Sequence, residues 1–259
     1  MSKYTDFKII DKYIGCLTLS RNRLNALSSD FLLDITKKIN DINNNLNCRV
    51  LIINSSLDNF SVGADLKEKK IMSKTQSKEA LNIFNDCFNS IEDLSIPTIC
   101  LINGYCLGGG TELSLSCDIR IGSNDSIIGL PETSLGIIPG AGGTFRLPKV
   151  IGVQNAKYWI YSSRKFTGLE AKDYGFLIDC VTKDKLFSVG LSIANDILIN
   201  APIAVKCSKK AINNSLFEID RNTALKNERD NYNITLTSKD RDEALDAFVN
   251  KRKPNWNNE

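Results

Sequence analysis

The stretch from Ile102 to Gly143 constrains this chain more than any other, because one segment carries two glycine clusters and two glutamates. Gly108, Gly109 and Gly110 lead directly into Thr111, Glu112 and the apolar residues Leu113, Leu115 and Cys117, which reads as a tight loop opening a helix. A helix start leaves backbone N–H groups without intrahelical partners, and its dipole adds positive potential there. Glycine, lacking a Cβ, lets a second molecule come close to those N–H groups. An oxyanion could be held at such a place. Glu112 lies one turn into the helix; further on, Pro131-Glu132 opens a second helical turn, followed by Pro139-Gly140-Ala141-Gly142-Gly143. Taken singly, each feature is also an ordinary structural one, since glutamates favour first helical turns and proline favours the first helical position. The combination carries the argument.

Composition narrows the chemistry. The chain has no histidine among its 259 residues, which excludes Ser-His-Asp and Cys-His catalysis and every histidine-ligated metal centre. Acid–base work falls to Glu, Asp, Lys, Tyr or Cys. The eight cysteines (Cys16, Cys48, Cys87, Cys100, Cys106, Cys117, Cys180, Cys207) sit mostly in apolar runs and form no C-x-x-C pair, so buried reduced thiols are expected and neither a disulfide frame nor a metal site. With 33 basic and 30 acidic residues the net charge of +3 gives no argument for nucleic acid. No run of about 20 apolar residues predicts a membrane span. The N-terminal MSKYTDFKIIDKY has neither an apolar signal core nor transit character, so a cytoplasmic location is expected.

The order of elements predicts an α/β fold. Phe7–Ile10 and Ile14–Leu19 read as strands, and Ser28 or Ser29 as the N-cap of a helix with Phe31, Leu32, Ile35 and Ile39 on one face. Arg49–Asn54 is a β-branched run, hence a buried parallel strand. A Gly63-containing turn follows, then a helix over Glu79–Leu94 that Pro97 ends. Thr98–Ile102, Cys117–Ile121 and Phe176–Val181 predict further strands; Ile151–Tyr161 and Gly168–Tyr174 predict helices. Beyond Val181 the pattern is helical, broken near Pro202, Ser215 and Thr237-Ser238. We therefore expect residues 1–182 to form the alternating α/β domain and 183–259 a helical subdomain.

Two glutamates and two glycine-bearing turns suit one kind of reaction. One carboxylate can take a proton from water while the other gives one, and N–H groups from two loops can hold a carbonyl oxygen that turns negative. That set fits chemistry beside a thioester carbonyl, with no metal. FSVGADLKE (60–68), INGYCLGGGTELSLSCDIRI (102–121), GLPETSLGIIPGAGGTFRLPKVIG (129–152), SSRKFTGLEAKDYGFLIDCV (162–181) and AFVNKRKPNW (247–256) together resemble the crotonase superfamily, and within it the enoyl-CoA hydratases. The likeness runs through nearly the whole chain. It implies a ββα spiral core followed by C-terminal helices that act in trimer contacts and as a lid over CoA. It implies that the Ala64 and Gly109 N–H groups form the oxyanion hole for the thioester, that Glu112 and Glu132 hold and activate water, and that Gly140 supplies a backbone group beside that water. Asp65, Leu66, Lys67, Phe248 and Lys251 fall where the resemblance implies contacts to CoA. Coenzyme A is then part of the substrate and no separate cofactor is expected; the expected partners are an acyl-CoA thioester and other copies of the chain, in a homotrimer or a hexameric dimer of trimers.

Two positions depart from the pattern: Ser20-Arg21-Asn22 lacks a proline common there, and Phe145 stands where glutamine is more usual. The retained pair of glutamates favours hydration of a 2-enoyl-CoA over double-bond isomerisation. GADLKEKKIMS, SSRKFTGLEAK and SKDRDEALDAFVNKRKP resemble methylglutaconyl-CoA hydratases, a branch whose relatives include an AU-rich RNA binder. The first helix, however, sets only Lys37 and Lys38 against Asp30, Asp34 and Asp41, a poor face for phosphates. Short unbranched and branched acidic enoyl groups both remain open substrates.

Overall fold

A six-stranded sheet with helices on both faces carries the chain, as seen in a computed structural model that describes residues 3–45, 47–217 and 220–258. In chain order the elements are β1 (Thr5–Asp11), β2 (Ile14–Leu19), α1 (Ser29–Asn43), β3 (Val50–Ser55), α2 (Leu66–Ile71), α3 (Lys74–Glu92), β4 (Thr98–Ile102), β5 (Tyr105–Leu107) and α4 (Gly109–Leu115). There follow β6 (Ile119–Ser123), β7 (Ile127–Gly129), a 3₁₀ turn at Glu132–Leu135, α5 (Gly143–Ile151), α6 (Val153–Ser162), β8 (Phe166–Thr167), α7 (Gly168–Asp173) and β9 (Asp179–Val181). A 3₁₀ turn at Lys183–Lys185 then leads into α8 (Leu186–Leu198), α9 (Pro202–Phe217), α10 (Arg221–Leu236) and α11 (Lys239–Val249).

The large sheet runs β1-β2-β3-β4-β6-β9, antiparallel only at β1–β2, and a small sheet runs β5-β7-β8. From β4 to β7 successive strands alternate between the two sheets, as the turns of a ββα spiral do. The pleat divides the large sheet's side chains. Leu17, Leu19, Leu51, Ile53, Cys100 and Ile102 face one way, into a core shared with Phe31, Ile35 and Ile39 of α1 and Phe84, Phe88 and Ile91 of α3. Cys16, Val50, Ile52, Ile99, Leu101 and Ile121 face the other way, against Leu186 and Ala194 of α8. Strands buried on both faces explain the unbroken apolar runs seen in the sequence. The first of these cores extends to Trp159 of α6, stacked on Phe166 at 4.2 Å with Phe176 at 5.4 Å.

One cap matches the sequence expectation, and several elements depart from it. Ser28 is the N-cap of α1, accepting from the Phe31 N–H at 3.3 Å. The helix expected from Glu79 begins a full turn earlier, because Ser73 and Gln76 close a capping box. The expected helical turn at Glu132 is a 3₁₀ turn closed by Gly136 in the left-handed region. α5 was not expected at all: glycine at its start and Pro148 within it hid its period. α8 packs on the large sheet, so the first helix beyond residue 182 belongs structurally to the α/β layer. The last helix is tied back to this layer through buried Asp240, which accepts from the Asn257 N–H at 2.8 Å, and through Trp256, which donates to the Ile199 carbonyl at 2.9 Å. No single helix among the described residues is long and apolar enough to cross a membrane.

Candidate active site

Two loops meet where β4–β5 and the turn after β3 run side by side. Ser61 pairs with Cys106, its N–H donating to Tyr105 O at 2.9 Å and its carbonyl accepting from Leu107 N at 3.0 Å. On the other flank Leu27 N donates to Gly63 O and Asp65 N to Leu27 O, both at 2.8 Å. These bonds use the neighbours of Ala64 and leave its own N–H without a protein acceptor among the described residues. The Gly109 N–H is likewise free of a protein acceptor, as expected at the first position of a helix. The backbones nearly touch: a Cβ built on Gly109 would lie 3.6 Å from Ala64 N, and one built on Gly63 would lie 3.0 Å from Gly109 N. Two unpartnered donors on adjacent loops are what a developing oxyanion needs.

Residues not singled out from sequence hold this geometry. Asn25 is fully buried with φ +46°, and its Nδ2 donates to Ser55 Oγ at 2.8 Å and Phe60 O at 3.1 Å. Ser61 Oγ donates to Asn25 O at 2.7 Å and accepts from Gly63 N at 3.1 Å. Arg21, in the segment lacking the usual proline, binds Ala26 O and pairs with Asp65 at 2.9 Å. An arginine clamp therefore does the stiffening that the missing proline would have done. Such a residue has no periodicity or spacing to mark it; only an isolated asparagine or arginine in a loop is visible in sequence.

The glutamates sit in opposed environments. Glu112 is buried on α4, and its Oε1 accepts from Ala141 N at 2.8 Å and Gly143 N at 2.9 Å. Burial holds its carboxyl above the ordinary carboxylate range, and those two N–H groups, Arg146 and Lys69 offset only part of that rise. Glu132 is also buried, and its Oε2 has no hydrogen-bond partner. Burial, reinforced by the nearby charge of Glu112, lifts Glu132 to about 7. One carboxylate is thus supported as an ion and the other held near the point of protonation at neutral pH, a division that separates a base from an acid.

The remaining expected site residues lie around this pair. The donors to Glu112 are Ala141 and Gly143, whereas Gly140 contributes a carbonyl that accepts from Asn85 Nδ2 at 3.4 Å. Asp65 is engaged as the N-cap of α2, accepting from Lys67 N at 3.0 Å and pairing with Arg21, so its carboxylate serves the loop. Leu66 and Lys67 are exposed on α2 beside the two free N–H groups. Phe248 is 85% exposed at the end of α11, and no hydrogen bond or ion pair among the described residues joins Phe248 or Lys251 to the site. Lys69, unremarked in the sequence, lies exposed on α2 with its Nζ 5.8 Å from the Phe84 ring, and its charge reaches both glutamates. A cavity of about 760 Å³ between α8, α9 and the ends of α3 to α5 is lined by Glu92, Arg146, Lys149, Ile197 and Lys209, and Glu112, Glu132 and the two unpartnered N–H groups do not line it.

The family profile described as enoyl-CoA hydratase/isomerase matches residues 10–259. The chain belongs to the enoyl-CoA hydratase/isomerase family. It is 37% identical to the short-chain-enoyl-CoA hydratase of Clostridium acetobutylicum over 242 residues, covering 93% of this chain and 92% of that one. It is 38% identical to the mitochondrial methylglutaconyl-CoA hydratase of Mus musculus over 253 residues, 95% and 80% of the two chains. The crystal structure of enoyl-CoA hydratase from Bacillus anthracis superposes with a TM-score of 0.96 at 39% identity, over 99% of this chain and 100% of that one. The crotonase fold is thereby shown for this enoyl-CoA hydratase/isomerase family member, including its C-terminal helices.

Proposed function

We propose that the protein adds water across the 2,3-double bond of a 2-enoyl-CoA thioester to give a 3-hydroxyacyl-CoA. Glu112, ionised, accepts a proton from water, whose oxygen bonds to C3 as the double bond's electrons move toward the thioester. The Ala64 and Gly109 N–H groups take the negative charge that grows on the thioester oxygen. Glu132, protonated, gives its proton to C2, and the proton held by Glu112 returns to Glu132 through solvent or product release. The observation that carries this reading is the pairing of one N–H-supported carboxylate with one unpartnered carboxylate raised to about 7. No cofactor beyond the CoA of the substrate enters, and Lys67 and Lys251 serve its phosphates. The test is loss of the conjugated enoyl-thioester absorbance with a panel of enoyl-CoAs differing in length and charge. Turnover of none of them, with isomerisation of a 3-enoyl-CoA instead, would remove hydration as the main activity.

A second substrate reading has its own observation. Lys69 carries a charge that bears on both glutamates and has no carboxylate within 4.0 Å among the described residues. An acyl group ending in a carboxylate, as in methylglutaconyl-CoA, could pair with it. Replacing Lys69 with Ala should then lower kcat/KM for an acidic enoyl-CoA at least about tenfold relative to crotonyl-CoA, the scale of one charge-assisted hydrogen bond. An unchanged ratio favours the neutral short-chain substrate.

The assembly we propose is a trimer or a dimer of trimers. Leu245, Phe248 and Val249 of α11 are more than half exposed in one chain, an apolar surface a stable protein buries on a partner. Light scattering at micromolar concentration should give at least three chains per particle; a monomer contradicts the proposal.

A further inference from the structure

We propose that the Glu92–Arg146 pair, its arginine buried and its glutamate partly so, is a positioning device for the hydration base, holding the 140–143 loop so that two N–H groups reach Glu112 together. The proposal rests on the assignment of Glu112 as that base.

The loop's three peptide groups are each gripped from behind. The Gly140 carbonyl accepts from Asn85 Nδ2 at 3.4 Å. The Ala141 carbonyl accepts from Arg146 Nη1 at 3.1 Å. The Gly142 carbonyl accepts from the backbone N–H of Arg146 at 2.7 Å and of Phe145 at 3.1 Å. Since a peptide unit is planar, fixing the Gly140 and Gly142 carbonyls also aims the Ala141 and Gly143 N–H groups bonded to them. Those are the donors that meet Glu112 Oε1. The Arg146 guanidinium lies against the loop so closely that a Cβ on Gly142, at φ +100°, would fall 2.0 Å from its Nη1. That guanidinium is anchored in turn. Its Nε and Nη2 donate to Glu92 Oε2 at 3.1 and 2.6 Å, and Nη2 to Asn89 Oδ1 at 2.8 Å. Asn85, Asn89 and Glu92 follow one another at helical spacing on α3, so one stripe of that helix grips the whole loop.

A buried ion pair is weak evidence for stability, because removing both charges from water costs about as much as their attraction returns. What an apolar pair could not do is hold the Ala141 carbonyl and so keep the loop in register. The charged groups around Glu112 are Glu132 from the 3₁₀ turn, Lys69 from α2 and Arg146 from α5; those around Arg146 are Glu92 from α3 and Lys149 from α5. Loosening the loop removes N–H donors from the ionised form of Glu112, and deleting Arg146 also removes a cation beside it. Both changes make Glu112 harder to ionise.

The test compares Arg146→Lys, Arg146→Met and the double variant Glu92→Met/Arg146→Met, the last to restore packing without charge. The expected result is a fall in kcat of about 10–100-fold with KM changed less than about threefold, the scale of a slightly misplaced catalytic group. The acid limb of the kcat–pH profile should move to higher pH by about half a unit or more. The double variant should recover melting temperature but neither kcat nor the acid limb. A folded double variant with wild-type kcat and an unmoved limb overturns the proposal. So does a fall in active fraction at every pH with the profile unchanged. If Arg146→Met and the double variant fail to fold, the profile of Arg146→Lys decides by the same two criteria. Glu112→Gln serves as reference: should it keep normal hydration, the base assignment itself fails, whereas an inactive Glu112→Gln beside unmoved Arg146 profiles sinks only the positioning role.

Discussion

Glu112→Gln and Glu132→Gln should each lower hydration at least about 10²-fold, within the range typical of general acid–base groups. Glutamine keeps the volume of either side chain but removes the proton acceptor or donor. At Glu112 the substitution also meets two N–H donors, Ala141 and Gly143, that a neutral amide oxygen can still accept, so the fold should survive. At Glu132 it replaces a carboxyl whose Oε2 has no partner, so the variant should be no less stable than the parent. Steady-state hydration kinetics beside CoA-ester binding by calorimetry would separate loss of chemistry from loss of substrate. Near-normal rates in both variants would return the two glutamates to a purely structural role at their helix starts.

Gly108→Ala should be almost as damaging, through geometry alone. Gly108 has φ +53° and ψ −124°, a region nearly closed to residues with a side chain, and a Cβ there would lie 2.8 Å from Glu132 Oε1. Apart from its chain neighbours, the only atoms among the described residues within 4 Å of that added methyl belong to the Glu132 carboxyl, so the strain falls on the group proposed as proton donor and on the Gly109 N–H next to it. Local strain of about 1–3 kcal/mol is too small to unfold a chain of this size, but a displacement near 1 Å at a reacting group costs about 10²-fold. We expect kcat reduced by about that factor with a cooperative thermal transition retained. Wild-type kcat in a folded Gly108→Ala would show that neither the Glu132 carboxyl nor the Gly109 N–H needs its present position.

The tightness that makes Gly108 sensitive is also why the sequence was readable there. A residue that must be glycine leaves a mark in the chain, and three in a row before Glu112 mark a backbone that something approaches. Residues that act by hydrogen bonding across the fold leave no such mark. Asn25, Arg21 and Arg146 are single polar residues in the sequence, yet they fix the oxyanion loop and the loop over Glu112. The peptide twist of the 140–143 loop, which sends the Gly140 carbonyl to Asn85 and brings the Ala141 and Gly143 N–H groups to Glu112, is equally invisible in its run of glycines. The α5 helix was missed for a related reason, since its glycine start and Pro148 read as a loop until packing against α4 and α6 supplied what propensity did not.

By itself the sequence determined the six strands of the large sheet, the helices α1, α3, α6 and α7, the two glycine-bearing turns, and the exclusion of histidine chemistry. Those properties are local, set by side-chain shape, period and residue type. Tertiary structure alone decided that the Ala64 and Gly109 N–H groups meet, that burial lifts Glu132 to about 7 while two N–H groups support Glu112, and that the charge of Lys69 reaches both. Each of these depends on which segments the sheets bring together and on how far water is excluded between them, and no single segment of the chain carries either quantity.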